Sequence, residues 1–201
     1  MNQVSDTVGY SLGFARDMVP AKMAPYSAAL PPIYQKFAGQ YLALGGPGRG
    51  VMRLEGDWGE RAVMLGVFPD YAAVGDFWTS PEYLAAKKLR EGAVKVDACR
   101  LPGRRAPEDH QVVLVLAVRG VKDLSELLQS ALTTADARVL APLGVGGFEI
   151  LEGDLQAHEI GIVSCIDQAR LAATWDVLQP LLAASGKSVQ AYSANRAPSK
   201  S

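Results

Sequence analysis

The tetrapeptide Leu54-Glu55-Gly56-Asp57 returns 97 positions later as Leu151-Glu152-Gly153-Asp154. Carried along the chain without a gap, that displacement sets Asp70 on Asp167, Ala72 on Ala169, Trp78 on Trp175, Leu84 on Leu181 and Ala86 on Ala183. Val63 falls on Ile160, Leu65 on Ile162 and, upstream, Gly50 on Gly147. With three tryptophans in 201 residues, an in-register tryptophan pair is strong support for duplication. A long internal repeat fixes the architecture before any residue-level reading, because each copy must be one supersecondary unit. Residues 1–105 are the first copy and 106–201 the second, with the Pro-, Gly- and Arg-rich stretch 101–109 as the punctuated join.

Hydrophobic periodicity gives the unit its shape. In the first copy, Tyr10, Leu12 and Phe14 alternate on one face of a strand over 9–15. A helix is expected at 23–37, broken or kinked by Pro31-Pro32. Strand material at 40–44 and 51–55 is interrupted by Gly45-Gly46-Pro47-Gly48-Arg49-Gly50, which reads as a bent hairpin or bulge. It lacks the Gly-Lys-Ser/Thr ending and the following helix of a phosphate loop. A strand at 61–68, helix at 71–92 and strand at 95–101 close the copy. The second repeats the order: strand 111–118, helix 124–133, a strand 139–151 bent at 144–147, strand 158–165, helix 168–184 and strand 188–193.

This βαββαβ order is ferredoxin-like, an antiparallel sheet with both helices on one face. The other face is bare and must be buried. A tandem copy supplies the cover, so the expected class is α+β: two ferredoxin-like units packed sheet to sheet as an intramolecular α+β barrel. The run Val112-Val113-Leu114-Val115-Leu116 is apolar on both faces, as a sheet covered on both sides requires.

Composition narrows the function. Twenty basic residues against 21 acidic give no global attraction to nucleic acid or anionic lipid. The longest apolar runs, such as 112–118, are too short to span a bilayer, and the N-terminus has no secretory pattern, so a cytoplasmic protein is expected. Cys99 and Cys165 fall inside strands and read as buried thiols. Two histidines, without a His/Cys/Asp cluster or Cys-x-x-Cys, give no metal site and no cofactor-ligand set. No Gly-x-Ser-x-Gly elbow is present.

The segment from Asp76 to Arg90 carries the most local information. Pro81 forces a helix break, with Ser80 as N-cap, Pro81 in the tolerated first position and Glu82 facing the positive end of the dipole. Trp78 and Tyr83 are thereby left near the sheet, where a cleft can open. Ser80-Pro81-Glu82-Tyr83 followed by Leu89-Arg90, with Leu54-Glu55-Gly56 and Gly45-Gly46 upstream, resembles the DUF1330 family over roughly residues 8–103. That resemblance implies membership of the dimeric α+β barrel superfamily of ferredoxin-like proteins. The superfamily is similar in fold to cofactor-free quinone-forming monooxygenases, lactone isomerases, polyketide cyclases and haem-handling proteins. It further implies a modest pocket between the sheet and helices of the first copy. The second copy departs from the motif, with Val177-Leu178-Gln179-Pro180 in place of Ser-Pro-Glu-Tyr and Lys187 in place of Arg90.

The expected activity is that of a cofactor-independent small-molecule enzyme of the isomerase, cyclase or monooxygenase type. Tyr83, Arg90, Glu55 and His158 are the catalytic candidates. Tyr83 offers a phenol, Arg90 a fixed cation for an anionic or enolate oxygen, and Glu55 or His158 a proton acceptor. Trp78, Ser80, Tyr41 and Arg49 are the substrate-binding candidates. Each has a plainer reading: Trp78 as core packing paired with Trp175, Arg90 as a complement to the helix C-terminus, Glu55 as a structural partner repeated in Glu152, and His158 as a surface residue at a strand start. Non-catalytic ligand binding or a stress-related role is the alternative, with haem binding behind it. The expected partner is a small molecule, and the expected state a monomer with an internal pseudo-dimer, or a homodimer.

Overall fold

The computed structural model describes residues 6–120, 129, 132, 137–142 and 147–198. The first unit runs β1 (Thr7–Arg16), α1 (Pro20–Lys36), β2 (Gln40–Pro47), β3 (Gly50–Glu55), β4 (Ala62–Phe68), α2 (Tyr71–Thr79), α3 (Pro81–Lys88) and β5 (Lys95–Arg104). The second runs β6 (Val112–Arg119), β7 (Arg138–Ala141), β8 (Glu149–Glu152), β9 (Glu159–Cys165), α4 (Gln168–Ala184) and β10 (Ser188–Asn195). All but Gln129 and Leu132 of the helix expected at 124–133, and most of the bend expected at 144–147, fall outside the described residues.

The strands form one curled sheet in the order β7-β9-β6-β10-β3-β2-β4-β1-β5-β8. Its two halves face each other with a shared core. Tyr10, Leu12 and Phe14 of β1 and Val63 and Leu65 of β4 meet Val113, Val115, Ile160, Ile162 and Tyr192 from the second unit. The next residues along the same strands face the helices instead, as the two-residue period of a strand requires. Val112, Leu114, Leu116 and Val118 thus pack beneath Leu171, Trp175, Leu178 and Leu182 of α4. The expected α+β barrel of two ferredoxin-like units is the observed architecture.

Two expectations need correction. The strand material at 40–55 is two strands, and the second crosses over. A tight turn, closed by the Arg49 amide donating to the Gly46 carbonyl at 2.8 Å, redirects the chain. β3 then pairs antiparallel with β10 of the other unit, and β8 pairs antiparallel with β5. This exchange accounts for the repeated Leu-Glu-Gly-Asp. Leu54 and Leu151 each pack into the helical layer of the opposite unit. Gly56 and Gly153 have positive φ, and a Cβ there would stand 2.1 Å from Gln190 Oε1 and 2.4 Å from Asp97 Oδ1 respectively. Only glycine allows so close an approach in that conformation.

The second correction concerns α1, which continues through Pro31 and Pro32 from a start at Pro20. Those prolines cannot donate back to the carbonyls four residues earlier. Burial of Tyr26, Leu30, Ile33 and Tyr34 against the sheet and neighbouring helices holds the helix together in place of the missing bonds. The repeated Asp70 and Asp167 are helix N-caps, each accepting the backbone N–H three residues on at 2.8 Å.

Candidate functional site

Strand β1 makes the site by what it omits. Its helix-facing residues are Gly9, Ser11, Gly13 and Ala15. The strand registers align Leu12 with Leu65 and Val115 with Ile162, so those four positions correspond to Val112, Leu114, Leu116 and Val118 in the second unit. Where the second unit has a packed layer, the first has room. At Gly9 a Cβ would lie 2.2 Å from the Asp70 carbonyl, so α2 rests directly on the strand. Further along, the space opens into a cavity of about 470 Å³ between α1, α3 and the sheet.

The cavity is lined mainly by apolar and aromatic side chains, among them Met23, Tyr26, Leu30, Tyr41, Met64 and Trp78. Met18, Ser27, Leu44 and Arg49 are its exposed lining residues and mark the mouth. Trp78 is fixed from behind, its indole N–H donating to Ser11 Oγ at 2.8 Å, and its ring lies 4.7 Å from that of Tyr83. The Ser-Pro break sets Tyr83 in place. Ser80 Oγ accepts the Tyr83 backbone N–H at 3.2 Å, and Pro81 starts α3 on a new axis.

Tyr83 and Arg90 stand together at the deep end, 1% and 4% exposed. Arg90 Nη1 and Nη2 donate to the two carboxylate oxygens of Glu152 at 3.0 and 2.5 Å. Lys87 meets the same carboxylate at 3.1 Å, and the Arg90 guanidinium carbon lies 5.3 Å from the Tyr26 ring centroid. Two buried donors remain: Tyr83 Oη and Arg90 Nε, on neighbouring side chains, have no well-aligned hydrogen-bond partner among the described residues. Burial, reinforced by Tyr26 and opposed by Arg90, holds the Tyr83 phenol well above its ordinary pKa, so it is a neutral O–H. Burial works against the Arg90 charge, and the Glu152 fork together with the neighbouring Tyr26 and Tyr83 phenols more than offsets it, so Arg90 stays a cation. Buried polar atoms are nearly always paired, and these two adjacent exceptions belong to side chains that line the cavity.

Of the candidates named from sequence, Tyr83, Arg90, Trp78, Tyr41 and Arg49 share this cavity. Ser80 is a buried cap behind it. Glu55 and His158 are elsewhere, and the roles given them in this site are withdrawn. Glu55 sits on β3 in the opposite sheet and accepts from Gln179 at 3.0 Å. His158 is exposed and meets the Gly120 backbone. Strand exchange carries Glu55 away, and it brings in Glu152, which the sequence marks only as the repeat of Glu55. The exchange also gives the second unit a wider surface cleft of about 570 Å³ along α4 and β10. Its Lys187, the counterpart of Arg90, is already paired with buried Glu159, so that cleft is the less suited to a ligand.

Among the described residues, no group of three or more His, Cys, Asp or Glu could hold a metal, and no helix is long and apolar enough to cross a membrane. Residues 9–103, nearly all of the first unit, match the family model described as domain of unknown function (DUF1330). Among curated proteins, none matches the sequence. Solved structures share the whole fold at low identity. A mutant chlorite dismutase from Candidatus Nitrospira defluvii is 8% identical, with a TM-score of 0.52 over 95% of this chain and 91% of its own. An anthrone oxidase-like protein is 10% identical, with a TM-score of 0.50 over 97% and 93%. A haem-binding protein from Thermus thermophilus is 8% identical, with a TM-score of 0.50 over 96% and 93%. At such identities the likeness is one of fold.

Proposed function

We propose that the first unit, braced by the second, binds a small, largely apolar molecule in its cavity. There it acts as a cofactor-independent enzyme of the isomerase, cyclase or monooxygenase type. One observation carries the reading: two buried donors without a well-aligned partner among the described residues, Tyr83 Oη and Arg90 Nε, at the end of an apolar cavity. Apolar walls hold the body of a ligand, while a few convergent polar groups fix its orientation. Donors already desolvated need little reorganisation of solvent as charge develops, so a ligand oxygen that reaches them is stabilised as it gains negative charge. Enolate or phenolate character is the common requirement of rearrangement, ring closure and reaction with dioxygen.

Among the described residues, the cavity lining contains no carboxylate and no imidazole. The substrate must therefore be acidic itself or lose its proton to water. That same shortage favours a second reading, ligand binding without turnover. Haem has less support, because His110 and His158 both lie in the second unit, hydrogen-bonded to Ser164 and to the Gly120 backbone.

An anthrone oxidase-like protein shares the fold, so anthrone is a reasonable first substrate, followed by dioxygen uptake and product mass. Turnover is expected in the wild type and at least tenfold less in Tyr83→Phe. Gly13→Leu should abolish it, since Leu116 stands at the matching place and a Cβ at Gly13 meets first the flexible tip of Met64, at 3.2 Å. Melting-temperature gains without turnover across acidic hydroxyaromatics would select the binding reading. Unchanged turnover in both variants would remove the site assignment.

A further inference from the structure

We propose that the deep end of the cavity takes a singly charged oxyanion on a flat apolar body, a carboxylate, phenolate or enolate, and that Glu152 of the second unit is its positioning residue. This rests on the cavity being the ligand site, and it adds the charge of the ligand and the source of the brace.

The charge follows from counting. Arg90 and Lys87 both converge on Glu152, so two cations share one carboxylate and one positive charge has no partner there. Lys87 is a third exposed and solvent moderates its share, whereas Arg90 is sealed in. A buried cation wants both a counter-charge and hydrogen-bond acceptors. A neutral ligand oxygen satisfies the Nε–H and the Tyr83 O–H but leaves the charge excess. A single anion satisfies all three.

The brace follows from the fork. Glu152 accepts from both terminal nitrogens of Arg90, and Nε, on a side chain that lines the cavity, is buried without a well-aligned hydrogen-bond partner among the described residues. A bidentate arginine–carboxylate pair fixes the guanidinium plane. Released from it, a long arginine side chain regains its rotamer freedom and no longer presents one donor in one place. The repeat makes the point by asymmetry. Glu55 holds the mirror position on β3, but the residue matching Arg90 is Lys187, which has turned to Glu159. Glu55 is left with Gln179. The second unit has lost the Arg90 side of the arrangement in its own half and kept the carboxylate that serves the first.

Isothermal titration of the full-length protein with 2-naphthoate and 2-naphthamide, which match in shape and differ in charge, tests both parts. The wild type is expected to bind naphthoate at least tenfold more tightly than naphthamide near neutral pH. In Glu152→Gln, naphthoate should weaken at least tenfold and naphthamide by clearly less, with a wild-type circular dichroism spectrum serving as the control for folding. Glu152→Asp should recover part of the loss, and Glu55→Gln should alter neither ligand. Equal binding of the two probes by the wild type overturns the oxyanion. Naphthoate affinity that is unchanged or tighter in Glu152→Gln overturns the positioning role, and if that variant does not fold, Glu152→Asp at wild-type affinity does so. Absence of binding by either probe at millimolar concentration overturns the cavity as a site for flat aromatics altogether. Charge preference without turnover of anthrone leaves this inference standing and removes only the enzymatic reading.

Discussion

The two halves of this chain share strand order, helix N-caps and a tryptophan in register, yet differ in the four residues that the first strand turns toward its helices. Gly9 and Ser11 let α2 and Trp78 close onto the strand and Gly13 and Ala15 line a cavity, whereas Val112, Leu114, Leu116 and Val118 form a packed apolar layer. The helices above respond accordingly. In the first half the chain breaks at Ser80-Pro81 and presents Tyr83 from a separate short helix. In the second, α4 runs unbroken from Gln168 to Ala184 and carries Pro180 at the position of Tyr83. One half fills its helix-facing layer, and the other leaves a cavity there. Such division is open to a tandem repeat because the barrel needs both sheets, while a ligand needs only one cavity.

The largest way to break the comparison is to separate the halves. A fragment of residues 1–105 loses β8, Glu152 and the entire opposing sheet, exposing the face built from Tyr10, Leu12, Phe14, Val63 and Leu65. It is expected to dimerise or precipitate, since a patch of that kind is not left open in water. Size-exclusion chromatography of a well-behaved monomer would count against the shared core. Next in size, Leu116→Ala hollows the packed half and should cost about 2–5 kcal/mol in denaturant unfolding. Leu116 is 1% exposed beneath α4, and a cost below about 1 kcal/mol would mean that the second layer is loosely packed.

Ser11→Ala sharpens the contrast from the other side. It strands the buried Trp78 N–H and should destabilise by about 1–3 kcal/mol. It should also weaken ligand binding by loosening the cavity wall, and an unchanged unfolding midpoint would remove that hydrogen bond from the account. The smallest effect is expected from Glu55→Gln. Its partner Gln179 is exposed, and the change should stay within about 0.5 kcal/mol. A loss as large as that of Glu152→Gln would erase the asymmetry between the halves.

Much of the fold was legible because its signals are local. Alternation placed the strands, Ser80-Pro81 placed the helix break, and the 97-residue displacement declared two units that must cover one another. Within the site, Tyr83 and Arg90 stood out through a motif present in one copy and absent from the other. The misses have a physical cause as well. Glu55 lies in the same repeated tetrapeptide as Glu152, and nothing along the chain says that this strand pairs with the other sheet. Once it does, the carboxylate that reaches Arg90 comes from 62 residues away. Prolines 31 and 32 misled because local propensity favours a break there, and burial on the sheet outweighs it.

The sequence by itself determined the duplication, the α+β class and the inequality of the two copies, because periodicity, capping and steric exclusion act within a few residues. The tertiary structure decided which carboxylate faces which arginine and where empty space remains, because both depend on strand exchange and on side chains that face each other only after the two sheets have closed.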